Sequence, residues 1–92
     1  MILFFDKNIG RFPEYLWVDA DPNNPLSMGM IFENIGHNFY RLKYYQDRNR
    51  WIKFSLAKSQ PYTYREIVTH HTDNVRLMTA QEFKDEWTLE NI

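Results

Sequence analysis

The chain has 92 residues, 43% hydrophobic and 25% charged, with a formal net charge of −1 and no cysteine. A chain of that length builds one hydrophobic core, which excludes a multidomain enzyme and predicts a single domain over residues 1–92, and the apolar fraction excludes a disordered segment. The missing cysteine excludes disulfide scaffolds, thiolate nucleophiles and cysteine-ligated zinc or iron–sulfur sites, and it fits a cytoplasmic setting.

In chain order, the run Ile2-Leu3-Phe4-Phe5 suits a buried strand and is far too short for a membrane span or a signal-peptide core. Tyr15 to Val18, aromatic and β-branched, predicts the next strand, and two prolines and two asparagines between Asp19 and Pro25 stop it in a loop. Leu26 to Asn34 has two readings. Asn24 and Pro25 could start a short helix, whereas Gly29 and Met30-Ile31-Phe32 favour the strand that we prefer.

Asn38 to Tyr45 and Trp51 to Ala57 predict a hairpin across the polar loop Gln46 to Arg50. Strict alternation puts Tyr40, Leu42 and Tyr44 on one face, opposite Ile52, Phe54 and Leu56; the other face then mixes rings and cations. Tyr62 to Thr69 reads as a further strand, with His70 to Asn74 as a loop and Val75 to Met78 as the returning strand. Thr79-Ala80-Gln81-Glu82 is a capping box. It opens a helix from Ala80 to about Leu89 whose Phe83 and Trp87, one turn apart, face the sheet.

The expected fold is α+β and predominantly β: a curved antiparallel sheet of about five strands, meander-like or small-barrel-like, with one C-terminal helix. The expected core is Leu3, Phe5, Leu16, Val18, Leu42, Ile52, Phe54, Leu56, Ile67, Val75, Leu77, Phe83 and Trp87.

Charge is unevenly distributed. Residues 1–40 carry −3, residues 41–58 carry +5 and residues 59–92 carry −3, so a near-neutral chain holds a basic middle between acidic flanks. The middle segment supplies the predicted contact surface: Arg41, Lys43, Tyr45, Arg48, Arg50, Trp51 and Lys53. Tyrosine, tryptophan and arginine are the side chains that dominate protein interfaces, so these residues point to a non-enzymatic protein that occludes or regulates a protein partner. The same rings and cations could stack bases and neutralise phosphates, which makes a single-stranded nucleic-acid platform the alternative. A single two-turn helix cannot cover both faces of such a sheet, so a partner or a second copy, as a homodimer, is expected to cover the remainder.

Catalytic and cofactor signatures are absent from the sequence. There is no Gly-x-Ser-x-Gly elbow and no phosphate-binding glycine loop, and Asp19 and Asp21 lack the ligand spacing of a calcium loop. No cofactor and no metal are expected: adjacent His70 and His71 on an extended chain would point apart. The short length, lack of cysteine and richness in Tyr, Phe and Asn resemble the small accessory proteins of tailed bacteriophages. That resemblance implies an inhibitor acting on a host protein.

Overall fold

The computed structural model describes residues 12–55 and 59–91. The expected first strand with Leu3 and Phe5, and Leu56 of the expected core, lie outside the described residues. Among the described residues six strands form: β1 Tyr15–Val18, β2 Met30–Gly36, β3 Phe39–Asp47, β4 Arg50–Lys53, β5 Tyr62–Thr63 and β6 Val75–Met78. Two helices, α1 Tyr64–His71 and α2 Ala80–Glu90, flank β6, with a 3-10 turn at Thr72–Asn74 between α1 and β6. The strands make one open antiparallel sheet in the order β4-β3-β2-β1-β6, and β5 continues the β4 side by pairing with the start of β3. The fold is therefore predominantly β with a C-terminal helix, as the sequence predicts, but the sheet does not close into a barrel.

The second helix corrects the expected strand at Tyr62 to Thr69. Only Tyr62 and Thr63 are extended; Thr63 then caps α1, its hydroxyl accepting from the Glu66 N–H at 3.1 Å while Glu66 accepts from the Thr63 N–H at 2.8 Å. This is the same capping box that opens α2 at Thr79 and Glu82. Tyr64, Ile67 and Val68, spaced as one helical stripe, are the residues that α1 buries.

With two helices, both sheet faces acquire a core. On one face α1 covers Leu16, Val18, Phe32 and Tyr40 with Tyr64, Ile67 and Val68; Phe12, Met30, Leu42 and Val75 pack around them. On the other, α2 sets Phe83 and Trp87 against Trp17, Ile31 and Met78, with Tyr15, Tyr44 and Trp51 at the margin. Alternation along β1 feeds both layers, since neighbouring Leu16 and Trp17 point to opposite faces. Expected core residues Leu16, Val18, Ile67 and Phe83 are buried, and Leu42, Val75 and Trp87 are half-buried against the core. Ile52 and Phe54 are also half-buried. Leu77 is not a core residue: it stands on edge strand β6 and is 44% exposed.

Turns and two register shifts in the β2–β3 ladder, one of them between Asn34 and Gly36, set the frame. Arg48 and Asn49, with φ of 51° and 67°, make the two-residue turn between β3 and β4, shorter than the five-residue loop read from composition. Positive φ at both central positions is what a type I′ hairpin turn demands. Gly36, at φ 127°, turns β2 towards β3; the Asn34 side chain holds this turn by accepting from the Gly36 N–H and donating to the His37 carbonyl. Between the Phe32–Leu42 and Ile31–Tyr44 pairs the register shifts, leaving Lys43 as an extra residue on β3. That bulge breaks the alternation assumed for the hairpin. Tyr40 and Leu42 face α1, whereas Tyr44 faces α2.

Candidate functional site

The bulge divides the seven predicted contact residues between the two sheet faces. Lys43, Trp51 and, opposite Tyr44, Lys53 belong to the α2 face, as does Arg41, whose partner across the ladder is Glu33. Tyr45, which pairs with Met30 and Ile52, belongs to the α1 face, and so by alternation does Arg50, opposite Asp47. Arg48 sits in the turn, and both Arg48 and Arg50 are exposed at the tip.

Two of the seven act within the fold. The Trp51 ring lies edge-on to Trp17 at 5.3 Å and near Trp87 at 5.7 Å, as part of the α2-face core. Lys43 donates to Glu33 Oε2 at 2.8 Å, and the Tyr15 hydroxyl donates to the same oxygen at 2.8 Å. Burial would raise the Glu33 carboxyl, but the bonds from Lys43 and Tyr15 outweigh it and hold the group below the usual carboxylate range. Burial would likewise lower the Lys43 ammonium, and Glu33 more than offsets that, so Lys43 titrates above its ordinary value. Trp51 and Lys43, a ring and a cation that a base-stacking platform would use, are thus engaged within the fold. Of the seven, Arg48 and Arg50 at the hairpin tip and Lys53 on β4 are exposed.

A feature not read from the sequence lies on the α1 face. On that face a cleft of about 810 Å³ lies between α1 and strands β2 and β3. Its floor is Met30, Phe32, Leu42 and Ile67, and Tyr62 stands at one end with its ring edge-on to Phe32 at 6.1 Å. Glu66, Thr69, His70 and His71 of α1 line its helical side. The size and the mostly apolar lining with a few polar groups are those of a binding cleft. Its sequence signal was the spacing Glu66 to His70, which shares a helix face once Thr63 and Glu66 are recognised as a capping box.

His70 and His71 end α1 with their rings edge-to-face at 4.7 Å, and among the described residues no group of three or more His, Asp or Glu gathers. Among the described residues no helix is long and apolar enough to cross a membrane. A search of family models, of curated proteins and of solved structures returns no match to this chain.

Proposed function

We propose that the protein is a small non-enzymatic binding protein that engages a protein partner and occludes or regulates it, as an accessory inhibitor of the bacteriophage type would. The observation that carries this reading is the open apolar cleft beside α1, on the face where Tyr45 and Arg50 of the hairpin also lie. An apolar floor with a polar margin and arginines close by is the anatomy of a protein interface, and opposite charges at separate points fix the orientation of the partner. The nucleic-acid alternative loses its main support, because Trp51 is packed among tryptophans and Lys43 is ion-paired with Glu33. Cytoplasmic location and a second copy as the partner belong to the same proposal.

Site-specific photo-crosslinking tests it. Benzoylphenylalanine placed at Arg48 or at Tyr62 should trap a discrete protein adduct in cells, and the same group at Gln81, exposed on α2, should not. Adducts with nucleic acid, or an identical pattern from all three positions, would overturn the reading.

A further inference from the structure

The cleft is apolar along its floor and negative along its helical side. Glu66 and His70 stand one turn apart on α1, and His70 and His71 occupy the carboxyl end of the helix, where the helix dipole places partial negative charge. Among the described lining residues Glu66 carries a full charge at neutral pH and no lysine or arginine contributes; Arg48 and Arg50 stand outside that lining. An acyl carboxylate or an acidic side chain entering here would meet Glu66 and the helix end as like charge. Glu66 already accepts from the Thr63 N–H, but a purely apolar segment would bring no cation to its carboxylate. A side chain with an apolar stem and a cationic head answers both features, since lysine and arginine bury their methylenes while the charge remains at the rim. The rings of Phe32 and Tyr62 add faces on which such a stem or head can rest.

We propose that this cleft receives a basic–apolar peptide segment of the partner, with a lysine or arginine stem on Phe32, Leu42 and Ile67 and its charged head at Glu66 and the carboxyl end of α1. This rests on the reading of the cleft as a docking surface, and the experiment separates the two. The full chain is titrated at pH 8 with three peptides followed by amide and methyl NMR shifts: acetyl-Leu-Lys-Phe-Leu-amide and its versions with Glu or Gln in place of Lys. The expected result is that shifts centre on Leu42, Tyr62 and Ile67, with the lysine peptide about two- to fivefold tighter than the glutamate peptide, the range of an exposed ion pair. Glu66→Gln keeps the capping box, because glutamine serves at that position, and should reduce the preference; Glu66→Lys should reverse it. Binding of all three peptides in the cleft without a charge preference would overturn the proposal and leave the docking surface standing. Failure of every peptide to shift the cleft residues would overturn both.

Discussion

Gly29 shows how closely the fold is packed at single-residue scale. A Cβ built there would lie 2.8 Å from Gln46 Oε1 and 2.9 Å from Trp51 Cη2, while the Gln46 N–H donates to the Gly29 carbonyl at 2.8 Å. The Gln46 amide can swing away, but the indole is wedged between Trp17 and Trp87. Gly29→Ala should therefore cost about 1–3 kcal/mol, measured as a lower urea midpoint, with a changed near-ultraviolet dichroism from the displaced ring. His71 gives a prediction in pH. Burial, then the neighbouring His70 charge, lowers its titration in the folded chain, so the unfolded chain binds the proton more readily. Stability is then complete above the ordinary histidine range and declines as pH falls through it and through the folded value. His71→Gln should lose less stability between pH 7.5 and pH 5.5 than the parent, by urea denaturation at both. An equal loss would remove His71 as a source of the pH dependence.

Each helix depends on a threonine cap at its start. Thr63→Ala and Thr79→Ala should each lower stability by about 1 kcal/mol, and because the two boxes serve opposite sheet faces the double variant should show the sum. The two caps also show what was legible. At Thr79-Ala80-Gln81-Glu82 nothing competed with the box, and α2 was placed to within a residue. At Thr63-Tyr64-Arg65-Glu66 the same box was masked by Tyr62, Thr63, Tyr64, Ile67, Val68 and Thr69, all residues with strand preference, and tertiary burial of Tyr64, Ile67 and Val68 decided for helix. The bulge at Lys43 had no such signal, because an extra residue in a ladder is set by the partner strand rather than by local composition. Everything downstream of it on β3 changed face, and the contact surface read from alternation was divided with it.

At the scale of the whole molecule, two cores share one sheet. Leu16, Trp17 and Val18 on β1, like Ile31 and Phe32 on β2, alternate between the two layers, so neither core can be lost without disturbing the strands that hold the other. Trp87→Ala tests this coupling. Its ring packs on Tyr44 at 4.3 Å and on Phe83 and Trp51 at 5.7 Å, but it is half-buried, so the cost should lie near the low end for such truncations, about 3 kcal/mol. That is a large part of the stability of a small domain. Unfolding should remain a single transition, with helix dichroism and the tyrosines of the α1 face melting together. Two separate transitions would show that the layers fold independently. The uneven charge of the sequence is also partly resolved at this scale: within the basic middle Lys43 is neutralised by Glu33, whereas Arg48, Arg50 and Lys53 are exposed.

The three tryptophans have an optical consequence. Trp17, Trp51 and Trp87 lie within 5.3–6.4 Å of one another, all on the α2 face. The strong far-ultraviolet transitions of indoles this close couple, so the dichroism there should carry an exciton couplet superimposed on the strand and helix bands, and energy transfer should funnel emission to a single indole chromophore of the cluster. That chromophore is separated from the cleft by the thickness of the sheet. A ligand seated beside α1 would be nearly invisible in tryptophan emission, and the tyrosines on its own side, Tyr62 and Tyr45, would have to report it.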